Sequence, residues 1–366
     1  MIFGVFYGGR VFIIFATKDQ ETMHDILFFD TPDDFKKLNT FVNNLSYTRK
    51  FIITDKNTSV NCLPPVHSLF DFTYTEIRLN PGEEFKNLNT VRGIWDTLFR
   101  HDADRKSLII NLGGGVITDT GGFAASTFKR GITYINMPTS LLAMVDAALG
   151  GKTGINYEGI KNQIGTVYEP ERVIIYPGFL KTLPEKEFYS GLAEMFKHGL
   201  IADAGYYFQM KHYKREPLME LIRRSVEIKI TIVNHDKDDF GLRQLLNFGH
   251  TVGHALEAYM QEISRPVTHG HAVAAGMIAE AMISLERAGL PHSAFQDIKN
   301  TLSKIYDLSP FREIDINKVR DYMKFDKKNT GGEIKFSLLK EIGTGIYGQT
   351  VDKYLIIKSL EYLKTI

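Results

Sequence analysis

Short β-branched segments alternate with helical patterns through the first half of the chain, and this alternation constrains the fold more than any other feature. The strand-like segments are FIIT at 51–54, the segment that follows Asp71, SLIINLGG at 107–114, TYINMP at 133–138 and RVIIY at 172–176. Parallel strands cannot be joined by tight turns and usually have a helix between them, so this order indicates a mostly parallel sheet. The first half is therefore predicted to be an α/β domain.

The second half has a different pattern. Beyond Pro184, long amphipathic segments such as LMELIRRSVEIKITIVNHD and AVAAGMIAEAMISLERAG predict helices. A chain of 366 residues is long enough for two domains of ordinary size. We therefore predict an α/β domain over residues 1–183 and an all-α domain over residues 184–366, divided at the turn around TLPEKE (182–187).

Charge and cysteine content exclude several classes of protein. Lys and Arg total 44 and Asp and Glu total 43, so there is no overall positive charge with which to bind nucleic acid. Cys62 is the only cysteine, which excludes a disulfide framework and fits a reducing, cytoplasmic location. The apolar N-terminus lacks a basic start and is interrupted by Arg10, so it predicts two buried strands rather than a signal peptide. No segment is apolar enough to predict a membrane-spanning helix.

A glycine-rich turn follows the strand at 107–112. Gly113, Gly114 and Gly115 lead directly into a helical pattern. Glycines let a backbone approach a phosphate closely, and the N–H groups at a helix N-terminus attract negative charge. The segment does not match GxGxxG, because Thr118 stands where the third glycine would be. The residues predict a phosphate site, with a tight structural turn as the alternative.

A second glycine-rich segment extends from Pro138 to Gly165 and contains Asp146, Lys152, Lys161 and Asn162. A lysine among small residues can reach an anion as a point charge, and a nearby aspartate can accept hydrogen bonds from sugar hydroxyls. A merely solvated loop would have a similar composition, so the residues alone leave both interpretations open.

Histidines and carboxylates cluster in the second half. His250 and His254 are four residues apart on a predicted helix, which places both rings on one face, a common metal-ligand spacing. His269 and His271 follow, and LAEMFKHG contributes Glu194, Lys197 and His198. A catalytic zinc needs three protein ligands, and Glu194 with two histidines would suffice. Spacing alone favours His250 with His254 and does not rank His269, His271 and His198 for the remaining position.

Several cations accompany these histidines. Lys229, Arg243 and Asn247 lie near them in the sequence, and Lys327 and Lys328 follow in KFDKKNTGG. A metal surrounded by cations indicates a substrate with more than one negative charge. The DKK segment taken alone would be an ordinary charged turn.

Together these segments resemble the 3-dehydroquinate synthase family of sugar phosphate cyclases. The similar motifs are NLGGGVITDTGGFAASTFKRG, PTSLLAMVDAALGGKTGIN, LKTLPEKEFYSGLAEMFKHG, GLRQLLNFGHTVGHALEA, HGHAVAAGM and DKKNTGG, in order between residues of about 50 and 345. The resemblance implies a cytoplasmic, dimeric enzyme of the shikimate pathway, with an NAD-binding α/β domain and a helical domain that binds zinc, or alternatively cobalt. The implied substrate is 3-deoxy-D-arabino-heptulosonate 7-phosphate, which is transiently oxidised, loses phosphate, is reduced again and closes to a ring.

The resemblance also implies roles for matching residues. Glu194, His250 and His269 look like the metal ligands, which replaces the pairing of His250 with His254, and His254 becomes a substrate-contacting or proton-relay group. The implied substrate contacts are Lys152, Asn162, Lys197, Lys229, Arg243, Asn247, Asp146, Lys327 or Lys328, and Arg130 from the partner subunit. The implied NAD contacts are Asp55, Glu83, Lys86, Gly114, Gly115, Val116, Asp119, Thr139, Ser140, Lys161, Thr182 and again Lys152.

One departure leaves a ligand question open. His271 stands where the family commonly has Glu, so it could compete as a ligand. Three other functions are alternatives: a sister cyclase that makes an inosose or valiolone ring, a metal-dependent polyol dehydrogenase, and a non-catalytic protein that binds NAD and metal. The full set of cations favours a substrate that has both a phosphate and a carboxylate.

Overall fold

A computed structural model of the protein describes residues 2–7, 10–15, 25–158, 160–213, 218–237, 239–324 and 334–366. The chain forms two compact units. One is the continuous segment Gln20–Phe188, and the other combines Tyr189–Ile366 with a hairpin from the first residues. The predicted division at residues 183/184 lies five residues before the observed division at 188/189, and it assigns the N-terminal hairpin to the first domain instead of the second.

The first unit is an α/β structure. Its strands are β3 (Ile26–Phe28), β4 (Lys50–Asp55), β5 (Thr75–Leu79), β6 (Leu108–Gly113), β7 (Thr133–Pro138), β8 (Lys152–Tyr157), β9 (Ile160–Val167) and β10 (Arg172–Ile175), and its helices are α1 (Phe35–Asn44), α2 (Lys56–Asn61), α3 (Pro64–His67), α4 (Leu88–Arg100) and α5 (Gly115–Thr127). Asp55 and Asn87 each accept a backbone N–H at the start of a helix, α2 and α4 respectively. A π-helical turn spans Ala143–Ala147.

Six strands form the main sheet in the order β3-β10-β7-β6-β4-β5, and every neighbouring pair is parallel. The predicted parallel sheet is therefore confirmed. All six residues of β6 are buried, as expected for a central strand that has helices on both faces. The core beside α4 and α5 is built from apolar residues such as Phe51, Val91 and Ile117. β8 and β9 form a separate antiparallel hairpin in place of the loop considered for this segment.

The second unit is mainly helical. Its helices are α6 (Glu185–Ala202, whose first residues belong to the α/β unit), α7 (Ala204–Lys211), α8 (Leu218–His235), α9 (His250–Glu262), α10 (His269–Arg287), α11 (His292–Ile305), α12 (Ile316–Lys324) and α13 (Lys353–Leu363). It also contains two antiparallel hairpins, β1 (Ile2–Tyr7) with β2 (Arg10–Phe15), and β11 (Lys335–Glu341) with β12 (Thr344–Thr350). The helical prediction is confirmed, but the hairpins correct the expectation of a purely α domain. Within the described residues, no helix has the length and apolar character to cross a membrane.

Candidate metal centre and nucleotide site

Three helices of the second unit bring together one carboxylate and two imidazoles. Glu194 lies in the middle of α6, and His250 and His269 are the first residues of α9 and α10. One potential ligand atom from each lies within 4.8 Å of the other two. Glu194 is completely buried and His250 is nearly so. Two histidines and a carboxylate are a common ligand set for catalytic zinc, which leaves a fourth position open.

The ring nitrogens of both histidines are arranged for metal binding. His250 Nε2 lies 3.3 Å from Glu194 Oε1, and its Nδ1 donates to the carbonyl of Phe248 at 3.2 Å. His269 Nε2 lies 3.4 Å from the same Glu194 oxygen, and its Nδ1 lies 3.4 Å from Glu257 Oε2. Because an outer oxygen engages Nδ1 in each ring, Nε2 is the nitrogen available to a metal.

Burial and neighbouring charges shift the pKa values of Glu194, His250 and His269. Burial opposes ionisation of Glu194, but the contacting Lys197 ammonium and His250 hold the pKa of its carboxyl well below its ordinary value. Burial, with help from Lys197, lowers the pKa of His250. Burial also acts to lower the pKa of His269, but the Glu194 and Glu257 carboxylates that face its ring raise it to about 10. Glu194 and His250 therefore favour the protonation states in which they bind metals, whereas His269 would release a proton on binding.

The buried carboxylate is a direct test of whether a metal fits. Both oxygens of Glu194 are shielded from water; Oε2 contacts the Lys197 ammonium, whereas Oε1 faces the two imidazoles without a hydrogen bond of good geometry in the described part of the chain. A buried carboxylate oxygen without such a bond is costly unless a cation compensates it. The residues present therefore fit a divalent cation such as zinc.

The other three histidines considered as metal ligands have different environments. His254 is exposed, and its ring centroid lies 5.0 Å from that of His250 and 5.8 Å from that of His269. His198 is buried, with Nδ1 at 2.7 Å from Ser225 Oγ. His271 places Nδ1 at 2.9 Å from Thr268 Oγ1 and packs its ring edge-to-face against Tyr306. His198 also places a potential ligand atom within 4.8 Å of one from Glu194, whereas His271 interacts with the N-cap residue of α10.

Three cations predicted to contact substrate are buried in the helical unit. Lys197, Lys229 and Arg243 are each at most 5% exposed. Lys197 contacts Glu194, and Arg243 donates to the carbonyl of Lys237 at 3.2 Å. Arg243 and Asn247 both lie in the 3-10 helix Leu242–Asn247 that precedes α9.

In the α/β unit, the glycine-rich turn leads from β6 into α5. Gly114 is the N-cap of α5, and no side chain among the described residues caps this N-terminus. Gly113 is in register with Pro138, and Thr139 N donates to the Gly113 carbonyl at 3.0 Å, so the ends of β6 and β7 lie together. The strand order reverses between β4 and β6. Ligands of open α/β sheets bind outside the carboxyl ends of strands at such a point.

Two predicted NAD contacts and one predicted substrate contact surround a buried lysine. Lys86 Nζ donates to Asp119 Oδ2 and to Asn162 Oδ1. Burial acts to lower the pKa of Lys86, but Asp119 and Glu83 raise it above its ordinary value. Asn156 joins the group, because its amide donates to Glu83 Oε1 at 2.9 Å and its oxygen accepts from Asn162 N at 2.9 Å.

Three further predicted NAD contacts surround Cys62. Thr182, Thr139 and Asp55 all lie near enough to the Cys62 thiol to influence its pKa. Burial raises the pKa of this thiol to about 11, so it is not a nucleophile at neutral pH. Asp55 also accepts from Asn57 N and Thr58 N as the cap of α2. Ser140 Oγ accepts from Ala143 N at 3.3 Å.

The remaining predicted residues are dispersed over the α/β unit. Lys152 and Lys161 are exposed on the β8–β9 hairpin, Val116 follows Gly115 in α5, and Asp146 lies in the π-helical turn. Arg130 is exposed and has a positive φ of 68°. Lys327 and Lys328 lie outside the described residues.

Sequence reasoning missed three polar residues near these groups, Asn156, Glu257 and Glu280. Glu257 faces His269, and Glu280 accepts hydrogen bonds at the start of α9. A carboxylate inside the apolar segment AVAAGMIAEAMIS was the available signal for Glu280, since Glu is almost never fully buried without a partner.

Solved structures share this architecture. A 2-epi-5-epi-valiolone synthase from Streptomyces hygroscopicus subsp. jinggangensis 5008, with NAD⁺ and Zn²⁺ bound, superposes with a TM-score of 0.82 at 24% identity, covering 96% of this chain and 99% of that one. A 2-deoxy-scyllo-inosose synthase complexed with carbaglucose-6-phosphate, NAD⁺ and Co²⁺ gives a TM-score of 0.80 at 23% identity, covering 99% of each chain. The fold is therefore that of the sugar phosphate cyclases.

Sequence comparisons define the family within this class. The family model described as 3-dehydroquinate synthase N-terminal matches residues 76–190, and the one described as 3-dehydroquinate synthase C-terminal matches residues 191–329. The 3-dehydroquinate synthase of Parabacteroides distasonis is 41% identical over 334 residues, 90% of this chain and 95% of that protein. The chain belongs to the 3-dehydroquinate synthase family, which confirms the predicted resemblance.

Proposed function

We propose that this protein is a 3-dehydroquinate synthase of the shikimate pathway, a phosphate lyase that converts 3-deoxy-D-arabino-heptulosonate 7-phosphate to 3-dehydroquinate and phosphate. The convergence of Glu194, His250 and His269 in a chain of this family is the observation that carries the proposal. A relative 41% identical over nine-tenths of the chain is named for this activity, which supports it further.

The proposed reaction needs NAD and a divalent metal. When bound, NAD would supply a hydride acceptor that is regenerated within the reaction, and a divalent metal would supply a Lewis acid for the reacting hydroxyl. Glu194, His250 and His269 would hold the metal. The glycine turn Gly114–Val116, with Asp55, Glu83, Lys86, Asp119, Thr139, Ser140, Lys152, Lys161 and Thr182, would hold NAD in the α/β unit.

The chain's own residues would bind and orient the substrate. Lys152, Lys197, Lys229, Arg243 and the DKK lysines would hold its phosphate and carboxylate, with Asp146, Asn162 and Asn247 contacting hydroxyls. His254, exposed beside His250 and His269, is suited to contact substrate or relay a proton. Fixing a flexible seven-carbon chain in this way removes much of the entropic barrier to elimination and ring closure.

The decisive experiment measures three products at once. Purified protein is incubated with the heptulosonate phosphate, zinc and catalytic NAD while phosphate, NADH and the carbocycle are followed. We expect equal amounts of phosphate and dehydroquinate with no net NADH. Activity only on a hexose or sedoheptulose phosphate would instead identify a sister cyclase, and NADH that accumulates from a simple polyol would identify a dehydrogenase.

Gly114→Ala tests the nucleotide site. A Cβ at Gly114 would lie 3.4 Å from Ser140 Oγ, an ordinary contact, and the residue's φ of −74° suits alanine. The fold should therefore survive while the methyl group occupies space beside the phosphate-binding backbone. We expect the Kd for NAD, measured by titration calorimetry, to rise about tenfold or more with an unchanged Tm. Wild-type NAD affinity in this variant would contradict the proposed site.

We also propose that the protein is a homodimer in which Arg130 serves the partner's site. The exposure of Arg130 and the positive φ values of Lys129 and Arg130 support this, because strained backbone is often kept for function. Arg130→Ala and Glu194→Ala proteins should each be inactive, whereas co-refolding them should restore about a quarter of wild-type activity through heterodimers with one intact site. No recovery would show that both residues act in the same subunit's site.

A cytoplasmic location is proposed as well. The single cysteine, Cys62, is buried and reduced, as is usual for proteins of reducing compartments. The α/β unit is proposed as the NAD-binding domain and the helical unit as the metal- and substrate-binding domain, close to the predicted division at residues 183/184.

A further inference from the structure

A buried carboxylate on α10 holds the beginning of α9. Glu280 has no exposed surface, and its two oxygens accept separate backbone hydrogen bonds, from Gly249 N at 2.7 Å and Val252 N at 3.0 Å. His250 lies between these two donors in the sequence. Glu280 is 11 residues from His269 along α10, about 16 Å at the rise of an α-helix, so its primary contact is with α9 rather than with the metal group.

The start of α9 lacks a cap from its own sequence. The first N–H groups of a helix have no intrahelical acceptor, and in most helices a Ser, Thr, Asp or Asn side chain at the N-cap supplies one. The N-cap here is Gly249, which has no side chain and adopts a left-handed conformation with φ of 78°. Glu280 accepts two of these N–H groups instead, and its negative charge is favourable at a helix N-terminus.

The two bonds also fix the backbone on both sides of His250. Close contact reinforces them, because a Cβ at Gly249 would lie 2.4 Å from Met277 Cγ and one at Gly276 would lie 2.0 Å from the Gly249 carbonyl oxygen. The turn that carries His250 is therefore held against α10, the helix that begins at His269. We infer that Glu280 is a positioning residue that sets His250 for metal binding, an inference that rests on the proposed metal centre.

Glu280→Gln is the informative variant, because it keeps the shape of the side chain but replaces one acceptor oxygen with an NH₂ group that cannot accept an N–H. Ser284→Ala is the matched control. Ser284 is also buried on α10, and its Oγ accepts from Leu339 N at 2.9 Å, so its loss leaves a buried N–H without its acceptor away from α9. Zinc affinity would be measured by chelator competition, and metal geometry by the visible absorption of the Co²⁺-substituted protein.

We expect Glu280→Gln to weaken zinc binding about 10–100-fold and to alter the Co²⁺ spectrum. Ser284→Ala should lower Tm by a similar amount and leave both metal readouts unchanged. Equal metal readouts for the two variants would overturn the inference. If Glu280→Gln does not fold, Glu280→Asp, which keeps the charge on a shorter chain, replaces it, and failure of both to fold would assign Glu280 to folding alone. Wild-type protein that binds zinc but makes no dehydroquinate would refute the proposed function and leave this comparison intact.

Discussion

Glu194→Gln is expected to lose its metal and its turnover together. The substitution preserves side-chain shape but removes the anionic ligand that both histidines face at 3.3 and 3.4 Å. It also removes the carboxylate that contacts the buried Lys197, and loss of one partner of a buried pair costs about 3–5 kcal/mol. We expect zinc content after dialysis, measured by mass spectrometry, to fall to background, with phosphate release below detection and a lower Tm.

The matched control is Glu286→Gln. Glu286 lies on α10 and forms an exposed ion pair with Lys358 at 2.8 Å. Surface pairs contribute about 0–1 kcal/mol, so this variant should keep full zinc content, activity and nearly all of its stability. Stoichiometric zinc in the Glu194→Gln protein would show that the metal is held elsewhere and would refute the proposed centre.

Gly276→Ala is expected to lower both the stability and the activity of the protein strongly, although Gly276 is not a metal ligand. A Cβ at this position would lie 2.0 Å from Gly249 O and 2.7 Å from Gly253 N, and both atoms belong to the backbone of the α9 region. Backbone cannot rotate away, so α9 must shift from α10 and carry His250 with it. We expect a loss of about 1–3 kcal/mol or more in the free energy of unfolding. Activity should fall about 100-fold, because displacement of about 1 Å at a catalytic group has that effect.

Gly93→Ala controls for the substitution itself. Gly93 is exposed in α4, and a Cβ there would meet nothing within 4 Å. Alanine in a helix is favoured over glycine by about 0.5–1 kcal/mol, so urea denaturation should show equal or greater stability with unchanged activity. A Gly276→Ala protein as stable and active as this control would show that the two helices are not in rigid contact.

The main sheet could be predicted from sequence because its central strands are short apolar runs between helical patterns. FIIT, SLIINLGG, TYINMP and RVIIY became β4, β6, β7 and β10. The hairpins were harder. β8 and β9 carry glycines at Gly154 and Gly165, and β9 is exposed along most of its length, so no alternation of apolar and polar residues marks a strand. β11 and β12 lie in a half of the chain whose pattern is mainly helical, so the sequence predicted an all-α domain there.

The candidate site shows what local spacing can and cannot indicate. The i, i+4 rule selected His250 with His254, but α9 begins at His250 and its ring faces Glu194 on α6 and His269 on α10. That group depends on the packing of three helices, which no local pattern encodes, and only the family resemblance pointed to it. Glu257 and Glu280 were not predicted for the same reason. Glutamate is common in exposed helices, and only the packing of the helices shows that these two side chains have specific partners.

The order of the units along the chain has a consequence for biosynthesis. The α/β unit is one continuous segment that ends at Phe188, so a growing polypeptide contains all of it once Phe188 has been added. The helical unit instead includes the β1–β2 hairpin, and β1 lies beside β12, which is made more than three hundred residues later. Because domains fold as units during synthesis, we expect the α/β unit to form first on the ribosome. The β1–β2 hairpin cannot pack against β12 until more than three hundred further residues have been made.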